Sequence, residues 1–295
     1  MNTPEVSIVI PTYNHARFIN SALDSVRAQK FINWEIIVVN NFSADNTIEL
    51  VQKYNDPRIR VVNFANQGII AASRNYGIAL TSAPFVAFLD SDDLWYQEKL
   101  SYCLEKLAQG YDLVCHDEVW VGPGNRKREV QYGPEKRATF DGLLFDGNCV
   151  STSAVVVRRT WLEKVNQFST SSDYVTAEDY DLWLKLAFAG AKFGFINKVL
   201  GEYLIHHGGE SRAVLRNMEA VMAVYSSHKK NLSGNLVSFR NRRREALIYY
   251  SGARGLQDAK NYWSAWPYFF KAIRCYPFVA KFYIAMALNF LLLRP

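Results

Sequence analysis

Several things are scarce in this chain of 295 residues. It has four cysteines, Cys103, Cys115, Cys149 and Cys275, and none forms a C-x-x-C pair. That spacing argues against a zinc site and against a disulfide framework, and a reducing cytoplasm is the compartment it implies. The start, "MNTPEVSIVIPTYN", lacks a basic n-region and reads as a first strand, not a signal peptide. No repeat of fixed period runs along the chain. A large excess of either charge is also missing: charged residues make up 21%, and the basic excess is modest, with a net charge of +6 and a pI near 9.0. This balance is compatible with anionic substrates or an anionic membrane face and is too small to argue for nucleic acid. Hydrophobic residues at 49% exclude a disordered chain.

What is present begins with alternation. "VSIVI" (6–10), "EIIVV" (35–39), "RVVNF" (60–64) and "FVAFL" (85–89) are short apolar runs that suit strands buried on both faces. Helical patterns lie between them, so the first hundred residues predict an α/β, right-handed, doubly wound layer. Ligands of such sheets bind beyond the carboxyl ends of the strands. "PTYN", "NNFSADN", "NQG" and "DSDD" follow the four strands in turn and so collect at one edge. Further on, a helix is expected over roughly 95–109, strands at 112–122 and 150–157, and a polar loop over 122–137. A helix over 177–190 and two segments at the end of the α/β region follow, and the pattern is helical from about 212.

The segment "FVAFLDSDDLW" drives three carboxylates into four positions at a strand end. Like charges this close raise one another's pKa. In extended backbone Asp90 and Asp92 face one side, with Ser91 turned away. Two carboxylates at one point suit a hard divalent cation, Mg²⁺ or Mn²⁺; an ordinary acidic turn is the other use of the same residues. Asp93 is expected to cap a helix beginning at Leu94.

Taken in order, "VSIVIPTYN", "EIIVVNNFSADNT", "NQGIIAASRNYGI", "FVAFLDSDDLW", "EDYDLWLKLA" and "YLIHHGGES" resemble the family-2 glycosyltransferases, inverting enzymes of GT-A fold. The resemblance runs from Val6 to about Ser211. It implies a GT-A, Rossmann-like, mostly parallel central sheet with helices on both faces, plus a C-terminal helical region. Residues 1–110 would form the nucleotide-sugar half, 111–211 the acceptor half, and 212–295 the helical region. By the same resemblance Pro11 and Tyr13 are the turn and aromatic ring that hold the nucleobase, with Tyr13 alternatively packing on the second strand. Asp90 and Asp92 match the D-x-D that binds Mn²⁺ or Mg²⁺ on the nucleotide diphosphate, and Ser91 goes with them on the nucleotide side. Arg74 matches a basic residue near the nucleotide, against an ordinary helix-surface charge. Glu178 and Asp179 match the acidic pair under the acceptor, with Asp179 the general base; Asp181 beside them serves the helix dipole. His206 matches a histidine close to the metal and diphosphate.

One departure stands out. The pattern after the second strand is usually "VVDDGS", and here it is "VVNNFS". Asn41 stands where the family's acid accepts the uracil N3–H. Its amide oxygen can accept that bond more weakly, or the amide can turn and donate, which would suit cytosine. Phe42 replaces a glycine that tolerates positive φ.

The tail is basic and aromatic. Tyr262, Trp263, Trp266, Tyr268, Phe269 and Phe270 fall within nine positions. Phe278 to Leu293 is sixteen residues interrupted by Lys281 and Asn289, short for a span of about 20. An interfacial helix on an anionic bilayer fits, as does a helical hairpin packed on the catalytic domain or a homodimer contact. The expectation is a metal-dependent inverting transferase, with a UDP-sugar first among donors and a glycan or lipid-linked glycan hydroxyl as acceptor. It would act in bacterial surface glycan assembly in the cytoplasm, peripheral on the inner face of the membrane. Transfer to polyprenyl phosphate, or a non-catalytic sugar-nucleotide scaffold, are the rivals.

Overall fold

The computed structural model describes residues 3–205, 214–232 and 235–292. Strands β1 (Val6–Thr12), β2 (Trp34–Asn40), β3 (Ile59–Asn63) and β4 (Phe85–Phe88) alternate with helices α1 (Ala16–Arg27), α2 (Thr47–Gln52) and α3 (Ile70–Ala79). They pair in parallel in the order β3-β2-β1-β4. The two-residue period of a strand separates their side chains between two cores. Val9, Ile37, Val39 and Phe88 pack on one face with α3, and Ile8, Ile10, Ile36 and Val38 on the other with Ile19, Leu23 and Val26 of α1. Gly77 sets how closely α3 lies on the sheet, because a Cβ there would clash with Val9 Cγ1.

The sheet continues through β5 (Leu94–Trp95), β6 (Leu113–Gly122), β7 (Arg126–Val130), β8 (Val155–Arg158) and β9 (Phe193–Leu204). The full order is β3-β2-β1-β4-β8-β6-β9-β5, with β7 on β6, so one sheet spans the first two hundred residues. β8 runs antiparallel between β4 and β6, whereas β6 and β9 are parallel. Helices α4 (Lys99–Ala108), α5 (Phe140–Asp146), α6 (Arg159–Lys164) and α7 (Glu178–Phe188) cover this half, and α8 (Val214–His228), α9 (Asn235–Asp258), α10 (Tyr262–Cys275) and α11 (Ala280–Leu292) follow.

Three local expectations are corrected. The polar stretch 122–137 is not a plain loop, since β6 and β7 form a hairpin turned at Gly124 and Asn125, both at positive φ. Its residues Arg126–Glu129 are exposed and charged, as suits a strand with one neighbour. Asp93 caps no helix: Leu94 and Trp95 pair with β9, and α4 starts only at Lys99. Pro11 is not in a turn but inside β1, opposite Val39. β4 pairs with β1 only as far as Val9, so the missing N–H of Pro11 costs no ladder bond on that side.

Candidate active site

The strand order reverses around β1 and β4, and a crevice is expected at their carboxyl ends. The loops after β1 and β2 are tied there. Asn41 N–H donates to Thr12 O at 2.9 Å, Asn14 N–H to Ser43 Oγ at 2.9 Å, and Ala44 N–H to Asn14 Oδ1 at 2.7 Å. Tyr13, beside them, is 54% exposed and is not packed away on β2. Phe42 takes φ 53° and is 60% exposed, so this position keeps the left-handed backbone although the residue is not glycine. Asn41 Oδ1 accepts the Asn66 N–H at 3.1 Å. A backbone N–H can only face the oxygen, which sets the amide's orientation; the second lone pair of that oxygen and the NH₂ can both meet other partners.

The acid cluster at the end of β4 is compensated in two ways. Arg74 of α3 is buried and forked: Nη2 donates to Asp90 Oδ1 at 2.8 Å and Nη1 to Glu178 Oε1 at 2.6 Å. Burial opposes its charge, and the two carboxylates more than offset this, so its pKa is raised. Arg74 is therefore no surface charge but a strut between β4 and α7. Asp93 turns inward instead, where Oδ2 accepts from Ser153 Oγ at 2.5 Å and Oδ1 from Leu204 N–H at 3.0 Å. Burial first, then the charges of Asp92 and Asp90, push its pKa well above the carboxylate range. Ser91 is buried, with its hydroxyl 2.7 Å from His15 Nδ1. Asp90 and Asp92 remain half-buried at the strand end.

The turn before α7 is strained, with the β-branched Thr176 at φ 86°. Its N–H donates to Glu178 Oε2 at 2.9 Å, which fixes the carboxylate that meets Arg74. Asp179, half-buried, accepts from Tyr180 N–H at 2.7 Å and Thr152 Oγ1 at 3.3 Å, with Asn148 Nδ2 at 3.5 Å. Burial, then the charge of Glu178, pushes its carboxyl up to about 6, against the pull of Arg74. Asp181 is buried, 2.8 Å from His228 Nε2 of α8 and 3.2 Å from Lys185 Nζ, a partnership beyond the helix dipole. His206 lies outside the described residues.

Sequence reasoning passed over the groups beneath the cluster. Glu118 of β6 is buried, accepts from Tyr132 OH at 2.8 Å, and is pushed up to about 7 by burial. Lys99 is buried with Nζ 3.2 Å from the Trp95 ring centroid, and burial brings it down to about 7. The signal for Glu118 was the run "HDE" inside an apolar strand.

This combination is that of nucleotide-binding α/β enzymes: polar residues gathered at the carboxyl ends of a partly parallel sheet, and a guanidinium tying the acid cluster to a further acidic helix start. The model of Glycosyl transferase family 2 matches residues 7–165, more than half of the chain, and the chain belongs to that family; it is a glycosyltransferase. It is 33% identical over 182 residues to the UDP-Glc:alpha-D-GlcNAc-diphosphoundecaprenol beta-1,3-glucosyltransferase WfgD of Escherichia coli, across 61% of this chain and 69% of that one. Among solved structures it resembles S. aureus TarS 1-349 in complex with UDP-GlcNAc, with a TM-score of 0.63 and 20% identity, over 85% of this chain and 71% of that chain. The mannosyltransferase PcManGT from Pyrobaculum calidifontis, in complex with GDP-Man and Mn2+, gives a TM-score of 0.64 at 17% identity, over 99% and 86%. These likenesses establish the GT-A fold with its added C-terminal helices.

Proposed function

We propose that the chain transfers a sugar from a nucleotide diphosphate sugar, UDP-linked first among them, to a hydroxyl of a lipid-linked glycan, with inversion, in bacterial surface glycan assembly. The observation that carries this is the Arg74 fork, which ties the end of β4 to the start of α7. In this reading Asp90 serves the donor and Asp179, next to Glu178, the acceptor, and the fork supports a shared cleft for the two. The similarity to WfgD, whose name gives it a diphosphoundecaprenol-linked sugar as acceptor, supports the acceptor class. Among the described residues no helix is long and apolar enough to cross a membrane. That a lipid-linked acceptor is met peripherally, on the inner face, is part of this proposal.

Among the described residues no three His, Cys, Asp or Glu side chains gather into a complete metal site. Asp90 and Asp92 would be the residues that hold Mn²⁺ or Mg²⁺: both stand half-buried at the strand end, Arg74 takes only Oδ1 of Asp90, and such ions are held by one or two carboxylates with phosphates and water completing the shell. When bound, the ion supplies positive charge beside the diphosphate. Tyr13 stacks on the base and Asn41 bonds its edge. Asp179 accepts the proton of the acceptor hydroxyl, whose oxygen forms the new bond to the anomeric carbon. The bond to the nucleotide diphosphate breaks on the opposite face, and the configuration inverts. A carboxyl titrating at about 6 is a better base near neutrality than an ordinary aspartate.

The test is calorimetric binding of UDP, GDP, CDP and dTDP with and without Mn²⁺. UDP binding that needs Mn²⁺ and is lost in Asp92→Ala is the expected result; binding indifferent to metal in every case refutes the Asp90–Asp92 assignment. Asn41→Asp puts a second, charged oxygen in place of the amide NH₂ beside the one that Asn66 meets, and is expected to tighten UDP about tenfold through a charge-assisted bond to uracil N3–H. Loss of turnover in Asp179→Ala separates a hydroxyl acceptor from polyprenyl phosphate, which needs no base.

A further inference from the structure

Nine of the fourteen large hydrophobic side chains exposed among the described residues fall between Phe239 and Leu291. Trp263 and Phe278 are each 77% exposed, and Phe270 lies between them on α10. On α11, Ile284, Leu288 and Leu291 recur at helical spacing along the outer side. The inner side of the same hairpin is core: Phe269 packs with Ala265 and Ala285, and Phe282 with Ala246 and Ala272. α11 is thus apolar on two sides, and the described chain covers one of them. A helix apolar all round is normally buried or in lipid.

The charge pattern selects the occupant. Residues 259–295 contain five Lys and Arg and no Asp or Glu. Lys271, Arg274 and Lys281 are exposed beside the apolar stripe. An apolar, cationic, carboxylate-free face complements an anionic bilayer. A second copy would instead set like charge against like across a two-fold interface.

Position adds a third observation. The Phe239 ring lies 5.0 Å from Tyr276, which lies 5.5 Å from Phe278, so the hairpin tip meets the first turns of α9. Those turns grip the acceptor side: Arg240 pairs with Asp141 at 2.8 Å and Arg243 with Asp146 at 3.3 Å. Arg244 lies so close to Gly147 that a Cβ there would come within 3.0 Å of Nη1. The next residue, Asn148, reaches Asp179.

We infer that the α10–α11 hairpin docks on an anionic bilayer, with its apolar stripe at the headgroup boundary and the Phe278 tip holding the Asp179 side of the cleft near the lipid surface. The placement of the cleft rests on the lipid-linked acceptor reading above; the docking does not. The test is flotation of the full chain with phosphatidylglycerol–phosphatidylethanolamine vesicles and with phosphatidylcholine vesicles, with UDP binding measured in parallel. Binding to the anionic vesicles that weakens as salt rises from about 0.1 M to about 0.5 M is expected. The variant Phe278→Ser/Ile284→Ser/Leu288→Ser should bind at least about tenfold more weakly with unchanged UDP affinity, which also shows that it folds. Lys271→Gln/Lys281→Gln should lose the preference for anionic lipid. Failure of the native chain to float, or flotation unchanged in the triple variant, overturns the docking. So does a concentration-dependent dimer in sedimentation without vesicle binding, which gives the face to a second copy. Flotation by a chain that binds no nucleotide overturns the reaction reading and leaves the docking supported.

Discussion

Replacing Arg74 by methionine keeps most of the side-chain volume and removes the charge that joins the two acidic sites. The Arg74 and Glu178 side chains are 4% and 9% exposed, 2.6 Å apart. Stranding a carboxylate buried to that degree costs about 3 kcal/mol or more. Thr176 N–H still donates to Glu178, which keeps the loss toward the lower end of that range. Asp90 at 27% exposure can recover water, so its pair adds under about 1 kcal/mol. A total of about 3–4 kcal/mol is expected, read as a lower urea midpoint at unchanged slope. Arg74→Met/Glu178→Gln leaves no stranded charge and should regain at least about 1.5 kcal/mol of that loss. A single variant within about 1 kcal/mol of the native protein, or strictly additive losses in the pair, would refute the strut. Arg74→Lys should fall between, since an ammonium cannot reproduce the fork.

Two pH profiles follow from the same groups. Asp179 must be ionised to accept a proton, so kcat/KM should fall as pH drops through about 6, and Asp179→Asn should remove turnover with it; a profile flat from pH 5 to 8 refutes its role. Lys99, brought down to about 7 by burial, binds its proton more weakly folded than unfolded. Stability should therefore rise with pH between about 7 and 10, by at most about 1.4 kcal/mol per unit, and Lys99→Met should flatten that rise at little cost in stability, as followed by chemical unfolding at several pH values.

The amino-acid sequence determined the strands and the edge they share, because β-branched and aromatic runs punctuated by polar turns leave few alternatives for a doubly wound layer. Strand order alone collected Tyr13, Asn41 and the acids after β4 at that edge, whereas only the resemblance of motifs put Glu178 and Asp179 on the acceptor side. Local pattern could not show that α3 lies close enough on β1 and β2, through Gly77, for Arg74 to reach Asp90 and Glu178, 16 and 104 positions away. Nor could it show that three neighbouring aspartates divide their roles, one paired with arginine, one half-buried at the strand end, and Asp93 drawn inward by Ser153 and Leu204. Spacing along the chain sets which side chains share a face. Burial and partners at long range, which only the tertiary structure fixes, set their charge and what they touch.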